Sequence, residues 1–508
     1  MQATCAPQQT FKYRRHEPET TLLYKTLARE WETWHGERQA DTSRTPLPAF
    51  VAAEIDAYFR CGILDHGFTI LSCDDCDEKL PVAYSCKRRG VCPSCCAKRM
   101  SEIAVHLVDN VLPHVAHRQW VTTFPHALRY WMAASRKLTS IVHRRVTSMI
   151  QLYYTHKAEE RGIKSPVAGG VTFVQRFGSA LNLNVHFHIV ALDGVYSVAS
   201  SEPVFFQLPG PTDEEVEGIV AAVAHAVKQD LTDRGYLPTA EAESETTAEL
   251  TLLDPVFAES EQLSAAASAS AVMHVAFGDR AGLRVRRLGS GFGDESDGDM
   301  GKGRRCFSVD GFTIHANRYI GMKDRGALEQ LLSYGARGAF SHKRLALLDP
   351  ANAQGDLVYT LKTRWRDGTE AIRLSPAELL EKLVALVPPP YVHLSRYFGV
   401  LSSHSKWRRH IVLRPHVKKG FIATPGSTDP VRLTWARLLS RVFAVDISVC
   451  PGCGSKVRPE SVELVDDPVL VARILLALGL YGRAPARAPP RAGGGLFDDM
   501  DQRYATDD

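Results

Sequence analysis

Two histidines separated by a single apolar residue stand in the run Asn184-Val185-His186-Phe187-His188-Ile189-Val190. Because side chains alternate between the two faces of a β-strand, a strand here places both imidazoles on one face. That arrangement can hold one divalent metal ion. The alternative interpretation is a pair of half-buried histidines in a sheet, and the neighbouring sequence is needed to weigh the two.

The sequence around the two histidines predicts a β-hairpin in a buried sheet. Residues 170–180 and 183–192 are β-rich runs joined by a short polar segment that contains glycine. Gln175 lies in the first run and offers an amide oxygen. Magnesium and manganese accept such a neutral oxygen beside imidazole, so we expect Gln175 to be a third metal ligand.

Length and charge limit the classes of protein that this chain can represent. With 508 residues it is too long for one core, and its net charge of +4 is only mildly basic. Any nucleic-acid surface must therefore come from local clusters of charge. Residues 1–15 lack the apolar core of a secretion signal, and no apolar run has the length of a membrane span. We expect a cytoplasmic protein with no membrane partner.

Cysteine spacing predicts a zinc module in the N-terminal part. In a reducing compartment, clustered cysteines indicate metal rather than disulfides. Two pairs with two-residue spacing, Cys73/Cys76 and Cys92/Cys95, can close on one tetrahedral zinc ion. A second zinc site could use the remaining candidates of this segment, although the sequence does not fix how the ligands divide. These candidates are Cys61, His66 and Cys86.

A further pair with the same spacing, Cys450 and Cys453, lies near the C-terminus. Two thiols alone do not make a structural zinc site. The pair could recruit ligands from elsewhere, act as a redox pair, or be the remnant of a ribbon.

Basic clusters are candidates for contact with DNA. One lies among the cysteines, and two others contain a tryptophan that could stack on an exposed base. A run of charge is more often a solvated face, so each cluster alone is weak evidence. The residues that we predict to contact DNA are Lys87, Arg88, Arg89, Arg364, Trp365, Arg366, Lys406, Trp407, Arg408 and Arg409.

Two helices and one further strand can be predicted near the histidine hairpin. Residues 118–125 are a short β-prone run that ends in proline, and residues 376–386 predict a helix followed by three prolines. Leucine spacing predicts a helix over 323–336, which carries Tyr334, with Arg337 one turn later. A tyrosine on such a helix is usually a core or rim residue.

The order of these elements resembles the three motifs of HUH-type single-strand endonucleases: a strand ended by proline, a His-x-His strand and a helical tyrosine. Longer segments are similar, in family order, to the signature blocks of the IS91-type rolling-circle insertion-sequence transposases. The similarity extends from about residue 50 to residue 482. The segments that carry it are 61–68, 85–95, 118–121, 177–188 and 441–446.

This resemblance implies a transposase that cuts one DNA strand at the end of its element, becomes covalently attached to it and transfers it to a new site. His186 and His188 are then metal ligands and Tyr334 is the nucleophile. Some members carry a second tyrosine four residues earlier, where this chain has Gln330, so the resemblance implies a single-tyrosine form. The two prolines that often follow the tyrosine motif are replaced by Gly-Ala. Arg337 either neutralises the phosphate or pairs with an acidic neighbour such as Glu329.

We therefore predict an α+β fold, in which an HUH-type antiparallel-sheet nuclease core with flanking helices is preceded by a small cysteine-rich zinc-binding module. The expected units are an N-terminal helical arm (1–50), a zinc-binding DNA-contact domain (51–112), the core (113–400) with a flexible insertion at about 238–305, a basic C-terminal region (401–482) and a disordered tail (483–508).

The expected cofactors are one or two structural zinc ions and a catalytic Mg²⁺ or Mn²⁺ ion. The expected partner is DNA, mainly single-stranded transposon ends and the target site, in the bacterial cytoplasm and on the nucleoid. The sequence has no helicase signature, so host replication or helicase factors would separate the strands. Two alternatives stay open: a relaxase or rolling-circle replication initiator with the same chemistry, and a non-catalytic zinc-dependent DNA-binding protein.

Overall fold

The computed structural model describes residues 15–76, 78–236, 253–289, 303–413, 449–455, 462–480 and 487–489. The similar segment 441–446 and almost all of the predicted tail lie outside the described residues. None of the described helices is both long and apolar enough to cross a membrane.

The described α-helices are α1 (Leu22–Ala40), α2 (Ala49–Arg60), α3 (Pro93–His106), α4 (His126–Ala134), α5 (Arg136–Glu159), α6 (Asp213–Asp233), α7 (Pro255–Ala258), α8 (Glu261–Ala271), α9 (Arg325–Ala336), α10 (Pro376–Leu386), α11 (Arg408–Ile411) and α12 (Pro468–Ala477). Short 3₁₀ turns lie at Pro18–Thr20, Leu64–His66 and His342–Arg344, and α3 continues into a π-helical turn at Leu107–Val111.

The described strands are β1 (Phe68–Ser72), β2 (Lys79–Ala83), β3 (His117–Thr123), β4 (Pro166–Val167), β5 (Gly169–Phe177), β6 (Leu183–Leu192), β7 (Gly194–Ser197), β8 (Val204–Gln207), β9 (Arg286–Gly289), β10 (Cys306–Val309), β11 (Phe312–His315), β12 (Tyr319–Ile320), β13 (Leu345–Leu347), β14 (Leu357–Thr360), β15 (Thr369–Leu374), β16 (Ser395–Gly399) and β17 (Val462–Val465).

An antiparallel sheet forms the centre of the fold, with strand order β10-β11-β3-β6-β5-β16 and β12 also paired to β3. Its longest members are the predicted hairpin, β5 and β6, which are almost entirely buried. The register places Gln175 of β5 opposite His186 of β6, and Val121 of β3 opposite His188. The predicted mixed helix and antiparallel-sheet fold is therefore confirmed.

Helices cover both faces of this sheet, because residues on both faces of β6 are apolar. On one face, Trp120 and Phe187 belong to the main core, where Trp120 donates to the hydroxyl of Tyr154 on α5. On the other face, Phe173 and Val190 share a second core with the buried leucines of α9. The face that packs on α9 is also the face of His186 and His188, since these residues alternate with Phe187.

Residues 253–289 are folded, which corrects the prediction that 238–305 is one flexible insertion. Leu263 and Ala267 of α8 are buried in the main core, and the backbone N–H groups of Ala276 and Phe277 donate to Glu381 of α10. The many alanines that suggested a loop instead favour a helix and let it pack closely. Residues 238–252 and 290–302 of the predicted insertion lie outside the described residues.

The zinc module consists of α2, the β1–β2 hairpin and α3, and the C-terminal part of the chain joins it. Strand β17 pairs antiparallel with β1, so that Val465 lies opposite Phe68. Val471 and Leu475 of α12 complete a small core with Phe68. Residues 462–480 therefore fold with the N-terminal module, and the predicted division between 51–112 and 401–482 does not hold for them.

Candidate active site

His186 and His188 lie on the same face of β6, with ring centres 5.0 Å apart. The Nδ1 atom of His186 is 2.8 Å from the carbonyl oxygen of Asn184. A carbonyl oxygen only accepts, so this nitrogen carries the proton and donates it. The Nε2 lone pair of His186 is consequently free to bind a metal ion.

His188 is oriented by Gln119, a residue of β3 that the sequence did not indicate. The amide group of Gln119 lies 3.0 Å from Nδ1 of His188, with the amide nitrogen nearest. An amide nitrogen only donates, so in this arrangement it donates to Nδ1 of His188; with the amide turned by 180°, its oxygen would accept from Nδ1–H and Nε2 would be free to bind a metal ion. The signal available in the sequence was only the position of Gln119 in the proline-ended strand.

Both histidines are held in the neutral form that binds metal. Burial lowers the pKa of His186 to about 4. Burial also places the pKa of His188 well below its ordinary value, and the positive charges of Arg337 and Lys362 lower it further. Neutral imidazole is the metal-binding state, so neither histidine has to lose a proton at pH 7.

Gln175 connects the histidine strand with the helix that carries Tyr334. Its Nε2 donates to the carbonyl oxygens of Tyr334 at 2.8 Å and Gly335 at 2.9 Å. Its Oε1 is buried and has no hydrogen-bond partner among the described residues. An unpaired buried oxygen of this kind costs about 1–3 kcal/mol. An amide oxygen opposite His186 is a suitable ligand for Mg²⁺ or Mn²⁺, so the residues present fit such an ion.

Helix α9 brings Tyr334 to the histidines. The side chain of Asp324 caps its first turn by accepting from the N–H of Ala327. The ring of Tyr334 meets the ring of His188 edge to face, with centres 5.3 Å apart. A Cβ atom on Gly335 would lie 2.5 Å from the ring of Phe173, so the helix lies close against the sheet at this glycine.

Two cations flank the Tyr334 ring. The guanidinium carbon of Arg337 lies 4.6 Å from the ring centre, and the Nζ atom of Lys362 lies 4.2 Å from it. Arg337 also lies over Phe177, and its Nε is buried without a hydrogen-bond partner among the described residues. Lys362 is exposed and follows β14. It belongs to a basic run, but nothing in the sequence distinguished it from its neighbours.

Three of the predicted DNA contacts are engaged within the fold. The Arg89 guanidinium donates to the carbonyl oxygens of Pro389 and Val392 at 2.7 and 2.6 Å. Arg408 donates to the carbonyl oxygen of Leu401, and the indole N–H of Trp365 donates to Ser179. These hydrogen bonds hold loops of the protein in place, so the positions of the three side chains are explained by contacts within the protein and do not require DNA.

The other predicted DNA contacts lie at the surface, except Trp407, which is partly buried. Arg364 forms an ion pair of 3.5 Å with Glu370, and the Lys406 ammonium lies 5.2 Å from the ring centre of Trp407. Arg409 donates to the imidazole of His410 at 3.0 Å. The exposed side chains are Lys87, Arg88, Arg364, Arg366, Lys406 and Arg409.

One group of four thiols lies where α2 ends and α3 begins. The Sγ atoms of Cys61, Cys86, Cys92 and Cys95 lie within 4.8 Å of one another. Individual distances are 3.4 Å for Cys86–Cys95, 3.5 Å for Cys61–Cys95 and 3.6 Å for Cys61–Cys92. Four sulfurs around a tetrahedral zinc ion are about 3.8 Å apart, so this group fits zinc.

A second group of four thiols combines Cys73 and Cys76 with Cys450 and Cys453. The two N-terminal pairs therefore do not share one site, and exposed His66 belongs to neither group. The reason is the β1–β2 hairpin: Cys73 and Cys76 lie at its turn, whereas Cys61 and Cys86 flank its open end. Strands of five residues span about 16 Å, which is too far for a common ion.

Comparison with known proteins gives two matches. Residues 169–410 match the family model described as "Putative transposase", and residues 32–124 match the family model "Transposase zinc-binding domain". The first range contains His186, His188 and Tyr334, and the second contains the six N-terminal cysteines of the two thiol groups. Cys450 and Cys453 lie outside both ranges. No curated protein and no solved structure was found to match the chain.

Proposed function

Because the chain belongs to the IS91-type transposases, which carry an N-terminal zinc-binding domain, we propose that it cuts single-stranded DNA with Tyr334 as the nucleophile. A member of this family is a DNA-processing enzyme, and the zinc in its zinc-binding domain is structural. The observation that supports the finer proposal is the position of Tyr334, whose ring lies against His188 on a helix tied to Gln175. We propose single-stranded transposon ends and the target site as its substrates.

The proposed step is a transesterification. The Tyr334 oxygen attacks the scissile phosphorus and forms a phosphotyrosine bond, while the bond from phosphorus to the 3′ oxygen breaks. The phenol proton passes to water, and the leaving oxygen takes up a proton to become a 3′-hydroxyl. The phosphodiester energy stays in the 5′-phosphotyrosine, so a 3′-hydroxyl of another strand can reverse the step without ATP.

His186, His188 and Gln175 would hold the catalytic ion, for which Mg²⁺ and Mn²⁺ are the candidates. When bound, such an ion orients and polarises the scissile phosphate. The protein holds the ligands in place beforehand, because the Asn184 carbonyl and the Gln119 amide each fix one imidazole ring.

Arg337 and Lys362 stabilise the charge that develops during attack. Both cations lie within 5 Å of the centre of the Tyr334 ring, on which negative charge appears as the phenol loses its proton. They are also placed to neutralise the phosphate as it becomes bonded to tyrosine. We therefore propose Lys362 as a catalytic residue beside Arg337.

A direct test incubates purified protein with Mn²⁺ and labelled single-stranded oligonucleotides from the ends of the element that encodes it. We expect a protein–DNA adduct that survives denaturing electrophoresis, and no adduct with Tyr334→Phe. Tyr391→Phe is the matched control, since Tyr391 is 88% exposed. Full adduct formation by Tyr334→Phe would refute the assignment of the nucleophile.

The same assay separates the alternatives. A relaxase or replication initiator would also form the adduct, but a transposase additionally joins the bound strand to a second DNA. A non-catalytic DNA-binding protein would bind the oligonucleotide and leave no adduct. We propose that host replication or helicase factors supply the single strand.

A further inference from the structure

The second group of thiols joins two parts of the chain that are remote in sequence. Cys76 and Cys450 are 374 positions apart, yet their Sγ atoms are 3.5 Å apart. Cys73 and Cys453 form the equivalent pair, at 3.6 Å. All four Sγ atoms lie within 4.8 Å of one another.

The two cysteine pairs have the same local structure. The N–H of Cys73 donates to the carbonyl oxygen of Glu78 at 3.0 Å, and the N–H of Cys450 donates to that of Ser455 at 2.7 Å. In each case the first cysteine bonds to the residue five positions later, which closes the backbone into a knuckle. Two matching knuckles present four sulfurs to one point between them.

The distances fit a metal ion and exclude a disulfide. Sulfurs in a disulfide are about 2.05 Å apart, whereas four thiolates around zinc are about 3.8 Å apart. All four cysteines are free. The neighbouring backbone is also fixed, because β17 pairs with β1 along four residues beside this point.

We propose that Cys73, Cys76, Cys450 and Cys453 bind a second zinc ion, which clamps the C-terminal segment onto the N-terminal module. The ion is distinct from the one at Cys61, Cys86, Cys92 and Cys95, because the length of the β1–β2 hairpin separates the two groups. The clamp is independent of the chemistry at Tyr334. The C-terminal knuckle thus acts as half of a site whose other half lies in the zinc-binding domain.

The two ions differ in accessibility. Two of the four clamp cysteines, Cys76 and Cys453, are exposed and the other two are buried, whereas the first group has three buried cysteines and one half-buried, Cys86. A chelator reaches exposed thiolates first, so the clamp ion is the more readily exchanged of the two. This order of release is a property of the full chain and needs no variant to be measured.

Zinc content of the purified full chain tests the proposal. We expect two zinc ions per chain in the wild type and in Cys306→Ser, whose cysteine belongs to neither group. The double variant Cys450→Ser/Cys453→Ser should retain one ion, as should Cys73→Ser/Cys76→Ser. The single variant Cys453→His should keep both ions, because Cys450 is retained and imidazole is also a zinc ligand. Two ions in either double variant, or one in the wild type, would overturn the proposal.

Two measurements on the wild type test the proposal even if the variants fail to fold. Release of zinc to a colorimetric chelator should occur in two phases of one ion each, and a single phase of two ions would contradict the difference in exposure. Oxidation with diamide in the presence of chelator should yield disulfide-linked peptides that join residue 73 or 76 to residue 450 or 453. Disulfides only within each knuckle would overturn the clamp.

Discussion

The side-chain amide nitrogen of Gln175 lies 2.8 Å from the carbonyl oxygen of Tyr334. The residue opposite His186 in the sheet therefore also holds the last turn of the helix that carries the tyrosine. One side chain thus offers an oxygen to the metal site and a nitrogen to the nucleophile helix. A change at the metal site should therefore alter the position of the Tyr334 helix, and a shift of that helix should alter metal binding.

Gln175→Met tests this double role, because methionine keeps most of the volume and removes both polar contacts. We expect Mn²⁺ affinity to fall by about 10-fold or more, with a comparable loss in the rate of strand cleavage. Isothermal titration with Mn²⁺ and single-turnover cleavage measure the two effects. Unchanged metal affinity would show that Oε1 of Gln175 is not a ligand.

Gly335→Ala tests the close contact between helix α9 and the sheet. Its Cβ would lie 2.5 Å from the Phe173 ring, so we expect a loss of about 1–3 kcal/mol in the free energy of unfolding. Gly326→Ala in the first turn of the same helix is the matched control. Its nearest neighbour lies 4.0 Å away, and alanine there should be neutral or stabilising by up to about 1 kcal/mol. Urea denaturation measures both, and equal stabilities would contradict the packing.

Lys362→Met tests the cation that the sequence did not distinguish. We expect the rate of cleavage to fall by about 10²-fold with little change in DNA affinity, since the charge acts on the transition state. Lys362→Arg should recover part of the rate. Lys228→Met is the matched control and should cleave at the wild-type rate, because Lys228 pairs with Asp310 at the surface and is not among the predicted DNA contacts. Equal rates for Lys362→Met and wild type would remove Lys362 from the mechanism.

His186→Ala and Cys92→Ser should impair different properties of the protein, cleavage in the first case and DNA binding in the second. His186→Ala removes a metal ligand, so cleavage should be lost while DNA binding persists. Cys92 is buried in the first thiol group, so Cys92→Ser should lose that zinc ion, unfold the module and weaken DNA binding. Fluorescence anisotropy with the oligonucleotide of the cleavage assay distinguishes the two. Loss of cleavage alone in both variants would contradict a DNA-gripping role for the zinc module.

Local signals in the sequence were sufficient for the elements around the active site. The predicted helix over 376–386 has the observed bounds of α10, because Ser375 and Glu378 form a capping box and prolines follow. The predicted helix over 323–336 begins two residues later, at Arg325, because Asp324 serves as its N-cap. The β5–β6 hairpin follows from its β-rich runs, and its pairing then fixes Gln175 opposite His186.

Other parts of the site depend on contacts between remote segments. The division of the thiols follows from the pairing of β17 with β1, which no local spacing encodes. Lys362 lies beside Tyr334 in a segment that also contacts the β5–β6 loop, where the indole N–H of Trp365 donates to Ser179. Gln119 meets His188 through the register of β3 and β6. Each of these relationships requires the assembled fold.

Identification of the residue that becomes attached to DNA tests the central claim most directly. Protein incubated with Mn²⁺ and a transposon-end oligonucleotide would be digested with nuclease and trypsin, and the modified peptide sequenced by mass spectrometry. The proposed mechanism predicts a nucleotide linked through its 5′-phosphate to the oxygen of Tyr334, in the tryptic peptide of residues 326–337. Attachment at any other residue would contradict it, as would the lack of an adduct from folded, zinc-loaded protein that binds the same DNA.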